Sequence, residues 1–253
     1  MAVEVFNRCE KKFIITEEIY RNIRPELEEY MEVDAYSRNG DFYTICNIYY
    51  DTPDNQIIRR SIEKPAYKEK LRLRSYGMVE SRDKVYLEIK KKYDGIVNKR
   101  RISIPLEDAY RFIQTREKPK LGNIKNEQVI NEIDYMLKRY PLLQPTLYLS
   151  YDRNAMFGID NKEFRITFDT NIRTRREELS LEKDNYGELL LPPGLWIMEA
   201  KISNATPLWF AELLSKYKIY PTTFSKYGTE YQKSILHRGV INSKSKLKQI
   251  SID

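Results

Sequence analysis

The chain has 253 residues, 32% of them charged and 41% hydrophobic, with a net charge of +7, nine Gly, two Cys and a single His. That apolar content, with twenty Tyr, argues against disorder, and the length admits one large domain or two small ones. A lone His excludes a three-His zinc site, and the absence of G-x-x-x-x-G-K-S/T and G-x-G-x-x-G argues against a Gly-rich phosphate cradle. Cys9 and Cys46 form no C-x-x-C and read as reduced thiols. No basic-then-apolar leader and no run of membrane-spanning length occurs, so a soluble cytoplasmic protein is expected. Any chemistry falls to Lys, Arg, Asp, Glu and Tyr.

Val3 to Ile15 reads as a strand, followed by a helix capped by Thr16, running to about Met31 and kinked at Pro25. Phe42–Tyr50 is β-branched and aromatic, a strand pattern, and Pro53–Ile62 reads as a short helix. Tyr67–Tyr76, Val85–Tyr93 and Ile96–Ile104 are predicted strands, the last two joined by an Asp94-Gly95 hairpin turn. Leu106–Gln114 and Glu127–Arg139 read as helices, and Thr146–Phe157 and Phe164–Thr170 as a second hairpin. Trp196–Ile202 is a strand, Thr206–Tyr217 an amphipathic helix, and Lys226–Leu236 a last helix. One α+β domain over 1–240, dominated by antiparallel strands, is expected, with a polar tail over 241–253.

The informative feature is charge on a two-residue beat. Side chains alternate across a strand, so Lys68, Lys70, Arg72 and Arg74 share one face while Leu71 and Leu73 share the other. Glu88 with Lys90, Lys99 with Arg101, Arg165 with Thr167 and Asp169, Glu199 with Lys201, and Arg8 with Glu10 and Lys12 repeat the arrangement. One such strand is an ordinary half-solvated face. Six call for a closed barrel with the charged faces turned inward, because collected cations need a polyanion to neutralise them. Arg grips phosphate with a bidentate fork, Lys acts as a point charge, and interspersed carboxylates suit a divalent metal. Tyr49, Tyr50, Tyr148, Tyr151, Tyr227 and Trp209 read as packing residues, and Cys9 is expected on the buried face of its strand. A nucleic-acid-binding sheet would need aromatics on the basic face. The neighbours there are mostly charged, so nucleic acid is not the expected partner.

In order along the chain come Arg8-Cys-Glu-Lys-Lys12-Phe13, Ile48-Tyr-Tyr-Asp-Thr52, Lys70-Leu-Arg-Leu-Arg-Ser-Tyr-Gly77, Leu87-Glu-Ile-Lys90, Lys99-Arg-Arg101 and Tyr151-Asp-Arg153. Arg165-Ile-Thr-Phe-Asp-Thr170, Met198-Glu-Ala-Lys201 and Phe224-Ser-Lys-Tyr-Gly228 complete the set. With these segments, over roughly residues 5–235, the chain resembles the catalytic domain of the vacuolar transporter chaperone (VTC) polyphosphate polymerases, in the triphosphate tunnel metalloenzyme (CYTH-like) superfamily. The resemblance implies an antiparallel closed barrel of about eight strands forming a charged tunnel, with helices packed outside. It implies phosphate-gripping roles for Lys12, Arg72, Arg74, Lys90, Lys99, Arg165 and Lys226. Glu199 matches the metal-binding glutamate, and Glu10 and Glu88 are its candidate helpers. Arg8, Arg101, Arg153, Lys201 and either Arg173 or Arg175 are further candidates for the tunnel wall.

The implied reaction passes the γ-phosphoryl of ATP to an inorganic polyphosphate chain with Mn²⁺ or Mg²⁺. Phosphoryl transfer asks mainly for positioning and charge neutralisation, so the want of His is no obstacle. Many superfamily triphosphatases begin Glu-x-Glu-x-Lys, whereas Arg8-x-Glu10-x-Lys12 replaces the first acid. That departure favours the polymerase over a triphosphatase or short-chain polyphosphatase. A non-enzymatic polyphosphate or nucleotide binder ranks lower, since both the basic set and the metal-type acid are kept. The chain carries neither an SPX module nor membrane helices, so product translocation by this chain alone is not expected.

Overall fold

The computed structural model describes residues 8–37, 42–94, 96–119, 124–203 and 205–236. Gly95, His237 and the predicted tail lie outside the described residues, and so does the side chain of Arg8. Among the described residues, ten strands and six helices follow one another. They are β1 (Arg8–Thr16), α1 (Glu17–Leu27), β2 (Met31–Val33), β3 (Tyr43–Asp51), α2 (Gln56–Ile62), β4 (Tyr67–Tyr76), β5 (Lys84–Tyr93) and β6 (Ile96–Pro105). Then come α3 (Leu106–Thr115), α4 (Ile124–Arg139), β7 (Gln144–Gly158), β8 (Arg165–Arg175), β9 (Glu188–Leu189), β10 (Leu195–Ser203) and α5 (Leu208–Lys216). A helix over residues 226–236, here α6, ends the described chain.

Thr16 caps α1 as its sequence predicts, its hydroxyl accepting from the Ile19 N–H at 3.2 Å. Pro25 sits inside α1, and the helix stops two residues later, so Met31 opens β2 instead of closing a helix. The Ile48-Tyr-Tyr-Asp-Thr52 segment has a structural use. The buried Asp51 carboxylate accepts the Ile57 and Ile58 N–H groups of α2 at 2.8 and 2.9 Å and the Tyr227 hydroxyl at 2.9 Å, tying α2 to α6.

The strands form one antiparallel sheet in the order β1-β10-β8-β7-β3-β4-β5-β6, with β2 on β7 and β9 on β8. No ladder joins β1 to β6 among the described residues, so the hydrogen bonds do not close the sheet into the expected barrel there. The free side of β1 is met instead by the segment after α5, where the Thr222 N–H donates to the Lys12 carbonyl at 2.7 Å.

Two apolar clusters cover the outer face. Leu71, Leu73, Leu87 and Ile102 pack under Phe112 of α3 and Ile133 of α4, while Phe13, Met198 and Phe168 pack under Leu27 of α1 and Phe210 of α5. At 25 cal/mol per Å², each such fully buried side chain contributes about 1.5–3 kcal/mol. A third cluster lies on the inner face: Ile45, Leu149, Ile172 and Ile197 meet Ile58 of α2 and Tyr227 of α6. Four helices therefore pack outside as expected, but α2 and α6 close part of the interior. No helix among the described residues is long and apolar enough to cross a membrane.

Candidate functional site

The inner faces of β1, β3–β7 and β10, with the start of α6, enclose a cavity of about 940 Å³. It is lined by nine cations, Lys12, Lys70, Arg72, Arg74, Lys90, Lys99, Arg153, Lys201 and Lys226, against the acids Glu10, Glu88, Asp94 and Glu199. The excess is five positive charges. Lys90 of β5 is felt across it by Glu10 of β1: burial would raise the Glu10 carboxyl, but Lys12, Lys90 and Lys201 lower it.

The register sorts the charges into rows. Arg72, Glu88 and Arg101 stand opposite one another across β4, β5 and β6, and so do Lys70, Lys90 and Lys99. The first row carries its own counter-ion. Glu88, 1% exposed, lies 2.6 Å from Arg72 Nε, 3.0 Å from Lys99 Nζ and 4.0 Å from both Arg74 and Arg101. Burial would raise its carboxyl, but Arg72, Arg74 and Lys99 outweigh that and hold it at about 2. The lysine row has no acid in it. Burial lowers Lys70 to about 8, and Lys90, Lys68 and Lys12 press the same way. Lys99 is also lowered to about 8, chiefly by burial, although Glu88 beside it works in the other direction.

A second buried pair anchors the opposite wall. Arg153 clasps Asp169 with both arms, at 2.6 and 2.8 Å, and Lys226 reaches the same carboxylate at 2.6 Å. Asp169 is wholly buried, and despite that burial Arg153 and Lys226 lower it far below the usual carboxylate range. Two tyrosines orient the central arginines. Arg72 donates to the Tyr49 hydroxyl and Arg74 to the Tyr151 hydroxyl, each at 3.2 Å, while Asn47 accepts from Arg74 Nε at 2.9 Å. Burial opposes ionisation of Tyr49, but Arg72, Arg74 and Lys70 prevail and lower its phenol to about 8.

The acids differ in what they have free. Glu199 is held loosely, with ion pairs to Lys12 and Lys201 of 3.8 Å each, and Glu10 lies 3.2 Å from Lys12. They sit diagonally on adjacent strands, since Lys12 pairs with Glu199 and Glu10 with Lys201. No group of three or more His, Cys, Asp or Glu is gathered for a metal among the described residues. Glu199 and Glu10 fit a divalent cation that takes its remaining ligands from phosphate oxygens and water, the usual habit of Mg²⁺. Glu88, enclosed by four cations, is arranged as their counter-ion.

A family model described as the VTC domain matches residues 7–235. The chain belongs to the VTC domain family. Among solved structures, the VTC domain is similar to a candidate adenylate cyclase from Bacillus halodurans, at 16% identity and a TM-score of 0.51, over 85% of this chain and 92% of that one. It is also similar to a candidate adenylyl cyclase from Hippeastrum described as having a dominant triphosphatase activity, at 13% identity and a TM-score of 0.52, over 88% and 95% of the two chains. At those identities the likeness shows the fold. A search of curated proteins finds no match. Family and fold together support an enzyme of phosphate transfer or hydrolysis.

Most of the residues singled out in the sequence of this VTC domain come together: Lys12, Arg72, Arg74, Lys90, Lys99, Lys226, Arg153, Lys201, Glu10, Glu88 and Glu199 all line the cavity. Arg101 flanks it through Glu88. Arg165 lies towards one end of the sheet, 3.6 Å from Asp34 and over the Phe157 ring. Arg173 and Arg175 turn away. Between Ser150 and Asp152 the β7–β8 register gains a residue on β8, and Asn171 takes φ 49°, so the alternation that put Asp169 inward is reversed beyond it. The Arg175 guanidinium instead holds the carbonyls of Glu178, Ser180, Asp184 and Tyr186 and stacks on Tyr148. Cys9 is exposed, not buried. Lys70, Tyr49, Tyr151 and Asp169 were not among the candidates. For Lys70 the signal was the same alternation that named Arg72 and Arg74, whereas nothing in the sequence separates Tyr49 from its buried neighbour Tyr50.

Proposed function

We propose that this protein is a divalent-metal-dependent polyphosphate polymerase that transfers the γ-phosphoryl group of ATP to the end of an inorganic polyphosphate chain. The observation that carries the reading is the excess of five positive charges among the residues lining one cavity, with an all-lysine row beside a row whose two arginines share the single carboxylate of Glu88. A triphosphate or a longer phosphate chain supplies the missing anion.

Arg72 and Arg74 are pre-aimed by Tyr49, Tyr151 and Glu88, and they hold the non-bridging oxygens of the nucleotide's phosphates. Glu199 with Glu10 would hold Mn²⁺ or Mg²⁺, which would supply further neutralisation of the phosphate oxygens. A terminal oxygen of polyphosphate, ionised and needing no base, attacks the γ-phosphorus in line. The new P–O bond forms as the bond to the β–γ bridging oxygen breaks, and ADP leaves. Lys70, Lys90 and Lys99 keep the acceptor end in place and balance charge on the transferring group. A triphosphatase is the second reading, favoured by the described activity of the Hippeastrum protein; Arg8 at the position of the first acid speaks against it. The test is incubation with ATP and Mn²⁺ followed by detection of phosphate polymer. Undiminished activity in Arg74→Ala or Glu199→Ala would overturn the reading.

A further inference from the structure

The inner-face alternation of β4 does not end with Arg74. The next residue on that face is Tyr76, with Tyr86 beside it on β5, opposite Arg74, and Tyr43 on β3. Tyr36, in the loop after β2, lays its ring nearly parallel to that of Tyr76, with centroids 6.1 Å apart and planes at 12°. Tyr43 tilts against both rings at 5.8 and 6.0 Å, and Tyr86 meets Tyr76 edge-on at 5.8 Å. Arg101 joins this patch to the Glu88 row, lying 4.5 Å over the Tyr86 ring and 4.0 Å from Glu88.

Rings that serve packing are normally buried. Here Tyr36 is 73% exposed and Tyr76 42%. Both rings stay accessible to solvent, two strand residues beyond Arg74, which lines the cavity. Two residues of strand separate Tyr76 from Arg74, about 7 Å, a gap that a ribose spans between a base and its phosphates.

We infer that Tyr36 and Tyr76 form a nucleobase-stacking subsite: a nucleoside triphosphate lays its base on these rings and passes its phosphates inward to Arg74 and Arg72. The lysine row lies further along the same strands, on the side away from the tyrosines. The γ-phosphate therefore points towards the lysines, and the phosphate acceptor approaches from their end. Stacking is tolerant of base identity, so ATP and GTP are taken with similar affinity. The inference rests on the phosphate-binding reading of the cavity.

The test is calorimetric titration with two probes, the β,γ-imido analogue of ATP and inorganic tripolyphosphate, against the wild type, Tyr36→Ala/Tyr76→Ala and Tyr36→Phe/Tyr76→Phe. Removing the rings is expected to weaken the nucleotide analogue about tenfold and to leave tripolyphosphate within twofold, while the Phe pair binds both like the wild type. Equal weakening of both probes by the Ala pair, or no weakening of either, overturns the subsite and leaves the phosphate site standing. A wild type that binds neither probe overturns both.

Discussion

Lys70 and Lys90 stand directly opposite each other across the β4–β5 ladder, and Lys99 stands opposite Lys90 on the next strand, with no carboxylate in the row. Like charges in that relationship destabilise a sheet by about 0.2–1 kcal/mol per pair. Their presence is intelligible as readiness for an anion. Lys70→Met is expected to raise the melting temperature of the ligand-free protein by about 2 °C while weakening tripolyphosphate binding about tenfold. Thermal unfolding with and without tripolyphosphate measures both. A variant that is less stable and binds equally well would show that Lys70 has a packing role instead.

The same crowding sets a pH dependence. Lys70 and Lys99 are lowered to about 8 from an unfolded value near 10.5, and Tyr49 is lowered to about 8 from near 10. Between those limits the unfolded chain holds more protons than the empty folded protein, so stability rises with pH across that window. Ligand affinity runs the other way, because a polyanion wants the lysines charged. Binding of tripolyphosphate near pH 8.5 should take up protons and weaken as pH rises. Calorimetry in two buffers of different ionisation enthalpy reads the proton uptake, and proton release would contradict the assignment.

Asp169 is the counter-ion of Arg153 and Lys226 in a wholly buried position. Asp169→Asn leaves two cations facing each other with no charge between them. Breaking a buried pair costs about 3–5 kcal/mol, and the loss should be visible as a lower urea midpoint. Tripolyphosphate should restore part of it, more than it stabilises the wild type, since it brings negative charge to the same wall. A midpoint unchanged by the substitution would refute the counter-ion role.

Glu199 and Glu88 share strand-face and charge yet differ in employment. Glu199→Gln should leave the melting temperature nearly unchanged and abolish metal-dependent turnover, because its ion pairs are 3.8 Å long. Glu88→Gln should destabilise the protein, since Arg72, Lys99, Arg74 and Arg101 all lean on it. A metal titration of activity alongside thermal unfolding separates the two. A shared loss of stability would contradict the distinction.

The alternation of Lys70, Arg72 and Arg74 located β4 to the residue and gave the correct charged face, because strand geometry maps period two directly onto sidedness. The same rule failed at Arg173 and Arg175. A single extra residue near Asn171 reverses the faces, and nothing in Thr170-Asn171-Ile172 announces a bulge. Barrel closure was read from the need to neutralise inward charge. Among the described residues no ladder joins β1 to β6, and the segment carrying Thr222 lies against β1 instead. Asp169 was legible as an inward acid, but its pairing with Lys226 depends on α6 entering the inner face, a tertiary event with no local signal. Tyr76 and Tyr86 were equally open to the period-two count, and only the Tyr36 ring laid against Tyr76 marks them as more than sheet residues.

Growth of a phosphate chain in the cavity is the proposal that one reaction can decide. The most direct measurement is one reaction with ATP and Mn²⁺ in which ADP, free phosphate and acid-precipitable or gel-resolved polymer are quantified together over time. The ADP released is expected to be matched by phosphate in lengthening chains, with little free phosphate. ADP matched by free phosphate, with no phosphate polymer formed, would identify a hydrolase and overturn the polymerase reading.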